Sequence, residues 1–405
     1  MKKVKKTVVL GVTGGIAAFK VLELISILRK AKLATVVIMT KSAAQMISPE
    51  EFEKATGNKV YTALFEKDFD YKNILKSRTV DHIAVADLAD IFVVIPATAN
   101  SIGKIAHGIA DDFLTTCLLA TKAPILICPS MNVNMWKNPI VQKNVSQLHE
   151  LGFYLFMPGS GKLACGYEGE GRLPNIQTIY EEIMELLQKG NSLANKTIIV
   201  TAGGTKEKID DVRVITNKSS GKMGIAIAES CFLRGAKVIL LRAENSVSPR
   251  YPMHQELFET VEQLEKLLTK YVPTTDICYH AAAVSDFFVK AKKGKITSDH
   301  SLSLELIPRE KLYKKIKQLH PHILLFTFKA EWGRNDKDIL KIARNKLASS
   351  EIDGIITNDV SKQNQGFEVD TNAVIIVLKN GLSKKFGLKT KKILADEIVE
   401  YTGIS

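Results

Sequence analysis

The chain opens with a strand, a glycine turn, a helix and a second strand, and this order constrains the fold more than any other feature. TVVLGV at residues 7–12 is an apolar, β-rich run that is followed by Thr13-Gly14-Gly15. A helical pattern over residues 16–29 and a further apolar strand at 35–39 come next. This succession is typical of a βαβ unit, which joins two parallel strands of one sheet through a helix.

The same opening occurs a second time. TIIVT at residues 197–201 precedes Ala202-Gly203-Gly204, a helical pattern begins at about Gly224, and KVILL at 237–241 reads as the next strand. The sequence therefore predicts an α/β protein with two doubly wound (Rossmann-like) parallel-sheet domains in tandem.

The length of 405 residues favours two or three domains. The segment KGNSLANK at 189–196 is polar and has no hydrophobic period, so we expect a linker there, between domains at 1–188 and 197–405. Further strands are predicted at Ile91 to Ile95, Ile125 to Cys128, Ile277 to His280, Leu324 to Thr327, Gly354 to Thr357 and Val374 to Leu378. Ligands of such sheets bind beyond the carboxyl ends of the strands, so residues that follow these runs are the candidates for function.

Composition excludes several classes of protein. The five cysteines are far apart and form no CxxC pair, which argues against a disulfide framework or a zinc site and favours a reducing, cytoplasmic setting. The first apolar run follows lysines as in a signal peptide, but it breaks at Gly14-Gly15, and no stretch approaches the roughly 18 apolar residues of a membrane span. The net charge of +13 is spread among helices without an aromatic-interleaved basic motif, so we expect anionic small ligands and no nucleic acid.

Neither glycine turn is GxGxxG, so the standard dinucleotide motif is absent. TNKSSGKM at 216–223 is not a P-loop, because its leading glycine is missing and a methionine follows Gly221-Lys222. Two interpretations of Ser219, Ser220 and Gly221 stay open: a capped helix start, or a phosphate site at a helix N-terminus.

A single cysteine, Cys165, lies in SGKLACGYEGEGR, a stretch with four glycines and no continuous apolar face. Such a stretch suits a flap that closes over a ligand, although a mobile surface loop with an incidental thiol explains it equally simply. Thr98 and Asn100 are explained as helix caps and His82 as a surface histidine. Taken singly these explanations suffice, and it is the joint occurrence of such residues at strand ends that favours a site.

The segments GGIAAFK, PATANSIGKIAHGIADD, PSMNVNMW and ACGYEGEGR resemble the flavin-containing cysteine decarboxylases that keep an active-site histidine. The segments VTAGGTKEKIDDVRVITNKSSGKMG, HAAAVSDF, GKITS, FKAE and TNDVS resemble phosphopantothenate-cysteine ligase. Together they cover nearly the whole chain, in the order found in the bifunctional enzymes of coenzyme A biosynthesis.

For the domain at 1–188, the resemblance implies FMN and decarboxylation of 4′-phosphopantothenoylcysteine to 4′-phosphopantetheine. It implies that His82 is a base or orienting group, that Asn132 holds the substrate carboxylate and that Cys165 donates a proton. It places the flavin at Gly14, Gly15, Thr40, Thr98 and Asn100. Family members carry an aspartate after ACG, where this chain has Tyr167 followed by Glu168.

For the domain at 197–405, the resemblance implies that a nucleoside triphosphate, usually CTP, activates 4′-phosphopantothenate as an acyl-nucleotide that cysteine then attacks, with Mg²⁺ as cofactor. Asn217 and Arg213 match the acyl-nucleotide site. The matching nucleotide positions are Asp286, Lys295, Phe328 and Lys346; the metal ligands stay unknown.

Three departures bear on the choice between CTP and ATP. The family's KIKK is here Lys295-Ile296-Thr297-Ser298, its FAAE is here FKAE with Lys329, and a family lysine aligns with Ser350.

The resemblance also implies a homo-oligomer, in which trimers assemble into dodecamers. Two alternatives are a flavin-fold regulatory or binding subunit, as in relatives that lost the histidine, and a simple flavin electron carrier. The joint presence of His82, Asn132 and Cys165 argues against the first, and the second domain argues against the other.

Overall fold

A computed structural model describes residues 5–65, 80–162, 168–297 and 301–403. The chain forms two compact units. The first consists of Met1–Lys189 and Arg250–Pro252, and the second of Gly190–Pro249 and Met253–Ser405.

The first unit is built on a six-stranded sheet in which every neighbouring pair of strands is parallel. Its strands are β1 (Thr7–Val12), β2 (Ala34–Met39), β3 (Val60–Tyr61), β4 (Ile91–Ala97), β5 (Ile125–Pro129) and β6 (Tyr154–Leu155), in the order β3-β2-β1-β4-β5-β6. The described helices are α1 (Val21–Lys30), α2 (Lys41–Met46), α3 (Pro49–Thr56), α4 (Asp81–Leu88), α5 (Ala99–Ala106), α6 (Phe113–Ala120), α7 (Val133–Trp136), α8 (Pro139–Glu150) and α9 (Ile176–Leu187). A separate hairpin pairs β7 (Gly159–Lys162) with β8 (Glu168–Arg172).

The central strands of this sheet are covered on both faces. Every residue of β1 and of β4 is buried, which explains why both read as continuous apolar runs without alternation. The helix predicted over 16–29 begins as a 3-10 turn, Ile16–Lys20, before α1 takes over.

The second unit holds an eight-stranded sheet in the order β13-β12-β9-β14-β17-β18-β19-β20. These strands are β9 (Thr197–Ala202), β12 (Lys237–Ala243), β13 (His254–Phe258), β14 (Ile277–His280), β17 (Leu324–Glu331), β18 (Gly354–Asp359), β19 (Thr371–Leu378) and β20 (Ser383–Thr390). Two short ladders pair β10 (Lys206–Lys208) with β11 (Val214–Thr216), and β15 (Phe287–Phe288) with β16 (Ile307–Pro308). The described helices are α10 (Lys222–Leu233), α11 (Val261–Tyr271), α12 (Leu312–Leu319), α13 (Asp336–Ala348) and α14 (Lys391–Tyr401).

The prediction of two doubly wound α/β sheets is confirmed, with one difference at the end of the second sheet. β18, β19 and β20 pair antiparallel, whereas the other neighbours in that sheet are parallel. The connections between these three strands contain no helix, and a parallel return requires a crossover that such short loops do not provide.

Among the described residues, no helix combines the length and the apolar character that a membrane crossing requires.

Candidate functional site

The glycine turn of the first unit is tied to the end of β4. The Thr13 hydroxyl donates to the carbonyl of Pro96 at 2.6 Å and accepts the backbone N–H of Thr98 at 3.1 Å. A Cβ at Gly15 would lie 3.3 Å from Cγ of Pro96. Glycine at this position therefore lets the turn pack closely against Pro96. β1 and β4 therefore present their following loops at one place on the carboxyl edge.

Helix N-termini line the same edge. Thr40 caps α2 and accepts the N–H of Ala43 at 3.3 Å, and Thr98 caps α5 and accepts the N–H of Ser101 at 3.4 Å. A Cβ at Gly14 would lie 2.5 Å from Cβ of Ser42, which places this glycine against the start of α2.

The five residues assigned to the flavin thus come together at this edge, with Asn100 exposed in the first turn of α5. The remaining first-turn N–H groups attract anions, and this donor set fits the phosphate of a flavin mononucleotide.

His82 is the second residue of α4, the helix that precedes β4. Its half-buried ring meets the Phe113 ring edge-on at 6.3 Å, and Phe113 stacks on Tyr61 at 4.8 Å. Because a helix that precedes a parallel strand runs opposite to it, the N-terminus of α4 lies at the carboxyl edge of the sheet. The Sγ of Cys117 donates to the carbonyl of His82 at 3.2 Å, and burial raises the pKa of that thiol to about 12, which makes it a structural cysteine.

Asn132 caps α7 through its side-chain oxygen, which accepts the N–H of Asn134 at 2.8 Å. Strand β8 lies directly on this segment: the N–H of Met131 donates to the carbonyl of Gly171 at 2.9 Å. Gly171 has φ +138°, and a Cβ there would lie 2.3 Å from the carbonyl oxygen of Met131. Gly169 has φ +150°, and a Cβ there would lie 2.9 Å from Val133.

The glycines that follow Cys165 in the chain also have a packing role. Two of them let β8 pack against the Asn132 segment, and β7 with β8 is an antiparallel hairpin. Cys165 and Tyr167 lie outside the described residues, and Glu168 is an exposed residue at the start of β8.

The second unit contains a cavity of about 500 Å³ at the carboxyl ends of its central strands. Four of the residues assigned to the ligase reaction line it: Asn217, Asp286, Phe328 and Lys346. The Asn217 amide donates to the carbonyl of Ala283 at 3.0 Å, which fixes its orientation at the cavity edge.

Ser219, Ser220 and Gly221 also line this cavity, immediately before α10. Gly221 is the N-cap of that helix at φ +77° and makes no side-chain cap hydrogen bond. Of the two interpretations of this segment, the absence of a capping side chain favours a phosphate site over a capped helix start.

Lysines give the cavity a positive end. Burial, followed by the charges of Lys329 and Lys311, lowers the pKa of Lys346. Lys329 pairs with Glu331 and Lys311 with Asp286, so both cations have partners within the protein. A polyanionic ligand would relieve the mutual repulsion of these lysines.

Arg213 and Lys295 are not among the residues that line the cavity. The Arg213 guanidinium pairs with Asp210 at 3.1 Å and donates to the carbonyl of Ile296 at 3.1 Å. The N–H of Ile296 in turn donates to Asp210 at 3.2 Å, and Lys295 beside it is exposed. The structure thus joins Arg213 to the segment that contains Lys295, and neither residue lines the cavity that Asn217 lines.

Several polar residues that line the cavity were missed by sequence reasoning, among them His280, Thr327 and Lys391. His280 and Thr327 are the last residues of two strands that the sequence predicted, so their position at strand ends was the available signal. Lys391 is the buried first residue of α14, and burial with the charge of Lys222 lowers its pKa to about 8. In the described part of the chain no three His, Cys, Asp or Glu side chains are grouped so that they could hold a metal ion.

Two family descriptions match the chain in succession. The family described as Flavoprotein matches residues 1–188, and the DNA/pantothenate metabolism flavoprotein C-terminal domain matches residues 193–403. Among solved structures, the C-terminal domain of a coenzyme A biosynthesis bifunctional protein CoaBC is 30% identical, with a TM-score of 0.44, over 52% of this chain and 96% of that one. The FMN-dependent cysteine decarboxylase SpaF is 32% identical, with a TM-score of 0.38, over 45% of this chain and 97% of that one.

The full length of the chain also has relatives. The coenzyme A biosynthesis bifunctional protein CoaBC of Bacillus subtilis (strain 168) is 37% identical over 402 residues, which cover 98% of this chain and 96% of that protein. At this identity over nearly the entire length, the chain belongs to the family of coenzyme A biosynthesis bifunctional proteins CoaBC.

Proposed function

We propose that the first unit binds FMN and decarboxylates 4′-phosphopantothenoylcysteine, and that the second unit makes this compound from 4′-phosphopantothenate, cysteine and a nucleoside triphosphate. Membership of the CoaBC family makes the chain a bifunctional decarboxylase and ligase of coenzyme A biosynthesis. The assignment of one reaction to each unit is supported by one observation. In each unit, residues that the family resemblance assigns to its reaction lie together at the carboxyl edge of the sheet.

In the first unit, the chemical difficulty is the loss of CO₂ from a carbon that has no electron sink. A bound flavin supplies one, because it accepts two electrons from the substrate and later returns them. His82 takes the proton from the substrate in the first half of the reaction, and the Asn132 amide holds the carboxylate that leaves as CO₂. Cys165 donates a proton to the product carbon in the second half.

In the second unit, the 4′-phosphopantothenate carboxylate attacks the α-phosphorus of the nucleotide and pyrophosphate leaves. The amine of cysteine then attacks the acyl carbon, and the nucleoside monophosphate leaves. Neither step needs a nucleophilic side chain, so the work of the protein is to offset charge and to orient the reactants. Asn217 holds the acyl-nucleotide, whereas Asp286, Phe328 and Lys346 bind the nucleotide.

Mg²⁺ accompanies the triphosphate in this proposal, because Mg²⁺ is commonly bound through one or two carboxylates and substrate phosphates. Asp286, which pairs with Lys311, is a carboxylate that lines the cavity. Arg213 is proposed as an acyl-nucleotide residue and Lys295 as a nucleotide-site residue, both on the resemblance alone.

CTP is the proposed nucleotide, and the departures from the family pattern make ATP the competitor to test. Lys329 adds a cation to the cavity lining, while Ser350 donates to the backbone carbonyl of Lys346 at 2.6 Å where the family has a lysine. Two further departures replace lysines of the family's KIKK by Thr297 and Ser298. Thr297 is within the described residues, and Ser298 lies outside them.

We also propose a trimer-based homo-oligomer, in line with the resemblance. Large apolar side chains are exposed on the first unit: Ile140 is 71% exposed, Ile16 63% and Leu119 61%. Burying such side chains against another copy is favourable, and light scattering after size exclusion tests it. The four described cysteines are buried free thiols, which supports a cytoplasmic location.

The test of the function is mass spectrometry of the purified protein supplied with 4′-phosphopantothenate, cysteine, Mg²⁺ and either CTP or ATP. We expect a yellow protein that forms 4′-phosphopantetheine with CMP or AMP, and the faster nucleotide identifies the substrate. Accumulation of 4′-phosphopantothenoylcysteine would contradict the roles given to the first unit. No turnover at all would favour a regulatory or binding subunit, and flavin reduction without CO₂ release would favour an electron carrier.

A further inference from the structure

A row of polar side chains crosses three neighbouring strands in the centre of the second sheet. Thr201 in β9 is the register partner of His280 in β14, and His280 is the register partner of Thr327 in β17. All three are buried, at 0%, 8% and 2% exposure respectively. The residues two positions earlier on the same strands belong to the buried apolar core: Ile199, Cys278 and Leu325. The polar row therefore lies on the same face of the sheet as this core, at the carboxyl ends of the strands.

The side chains of Thr201 and His280 form a hydrogen bond with each other. The Thr201 hydroxyl accepts the N–H of Ala282 at 3.0 Å and lies 3.0 Å from Nδ1 of His280. If the hydroxyl proton is donated to Nδ1, Thr201 makes one bond as acceptor and one as donor, and Nε2 of His280 carries the ring proton. Burial, followed by the charge of Lys346, lowers the pKa of His280 to about 4, which keeps the ring neutral at pH 7.

Thr327 is different, because its buried hydroxyl has no hydrogen-bond partner among the described residues. A buried polar group without a partner is unfavourable, and folded proteins satisfy most such groups. Both Thr327 and His280 line the cavity of the second unit, as does the Lys346 ammonium. The unsatisfied hydroxyl therefore indicates a ligand group at the floor of this cavity.

We propose that Thr327 and His280, together with Lys346, form a phosphoryl subsite at the floor of the ligase cavity. The Thr327 hydroxyl and the Nε2–H of His280 donate to phosphoryl oxygens, and Lys346 supplies the opposing charge. An anionic oxygen matches this set better than a neutral group does, because two donors and the Lys346 ammonium line the same cavity, whereas Lys329 and Lys311 already pair with Glu331 and Asp286. This inference rests on the proposed ligase function.

The test is Thr327→Val in the full-length protein, which removes the hydroxyl and retains the shape of the side chain. Calorimetric titration with Mg²⁺ and CTP or ATP, and separately with 4′-phosphopantothenate, shows which phosphoryl group is held. We expect the affinity of one of them to fall roughly ten- to hundredfold, the range for hydrogen bonds to charged groups. Thr327→Ser, which keeps the hydroxyl, should bind like the wild type.

The thermal midpoint of unfolding separates a ligand role from a structural one. Thr327→Val should keep or raise it, because the variant loses an unpartnered buried hydroxyl. Thr357→Val is the matched control: that hydroxyl is equally buried but donates to the carbonyl of Ile375 at 2.9 Å, and Thr357 does not line this cavity. This control should lower the midpoint and leave both affinities unchanged.

Unchanged affinity of Thr327→Val for all these ligands would overturn the subsite. If the wild-type protein binds neither nucleotide nor 4′-phosphopantothenate, the proposed ligase function itself fails. His280→Leu should weaken the same ligand that Thr327→Val weakens, and His280→Gln, which can still donate, should restore part of the affinity.

Discussion

At the residue scale, the two units hold their proposed reacting groups by local hydrogen bonds. Asn132 is fixed as a helix cap by its own oxygen, and Asn217 is fixed by its bond to the Ala283 carbonyl. In both cases a hydrogen bond to the backbone sets the orientation of the side-chain amide. Replacing the amide by a carboxylate of the same shape therefore tests the role of its NH₂ group.

Asn217→Asp replaces a donor by a carboxylate. The new group repels the Ala283 carbonyl and adds negative charge to a cavity proposed to hold phosphates, so the ligase kcat/KM should fall by roughly a hundredfold or more. Decarboxylation of supplied 4′-phosphopantothenoylcysteine should stay at the wild-type rate. Equal loss of both activities would indicate one shared site.

Cys165→Ser keeps the size of the side chain and weakens its acidity. We expect FMN to remain bound, as judged by visible absorbance, and the yield of 4′-phosphopantetheine to fall by roughly a hundredfold or more, the usual contribution of a general acid. The reaction should stall after CO₂ release, because a hydroxyl is too weak an acid to protonate the intermediate. A normal yield would refute the role of Cys165.

At the element scale, the β7–β8 hairpin is set against the start of α7 by the glycines of β8. Neither glycine tolerates a Cβ, because Val133 and the Met131 carbonyl occupy that space. The glycines therefore allow β8 to pack directly on the Asn132 segment.

Gly171→Ala tests this packing. The added Cβ meets the Met131 carbonyl at φ +138°, and such backbone strain costs roughly 1–3 kcal/mol. We expect decarboxylase activity to fall while ligase activity is retained. Gly152→Ala is the control, since Gly152 also has positive φ, at +93°, but a Cβ there meets nothing within 4 Å; equal effects of the two variants would show that strain alone is responsible.

At the scale of the whole molecule, each unit has its own sheet and its own candidate site. Two consequences follow, one for stability and one for the sequence of reactions.

Acid should destabilise the second unit through His280, whose pKa is lowered from 6.5 to about 4. Between these values the unfolded chain binds more protons than the folded one, so stability is fully present above pH 6.5 and is lost as the pH falls towards 4, by about 3 kcal/mol at most. Urea unfolding at pH 7 and pH 4.5 measures this loss. His280→Gln should show a smaller loss, and an identical loss would contradict the burial of a neutral histidine.

The Cys165→Ser and Asn217→Asp proteins should complement each other when mixed. One retains the ligase site and the other the decarboxylase site, so the mixture should convert 4′-phosphopantothenate and cysteine to 4′-phosphopantetheine although neither variant does so alone. Product formation by mass spectrometry is the readout. A mixture no more active than the two variants measured separately would show that the intermediate does not pass between proteins.

Hydrophobic runs and glycine turns are local patterns, so the sequence predicted the central strands of both sheets and the doubly wound fold of each unit. It did not predict the sheet strands β3, β6, β13 and β20. Gly14, Gly15, Thr40 and Thr98, which the family resemblance assigns to the flavin, lie just after the ends of β1, β2 and β4, and their role in binding the flavin stays a prediction.

The contacts between residues that are distant in the chain became visible only in the folded structure. The row of Thr201, His280 and Thr327 exists because three strands that are far apart in the chain are neighbours in the sheet, and local sequence patterns do not show which strands become neighbours. The antiparallel end of the second sheet, the hairpin packed on Met131 and the position of Arg213 beside Asp210 were equally absent from the pattern. Each of them depends on close contacts between segments that only the packed sheets bring together.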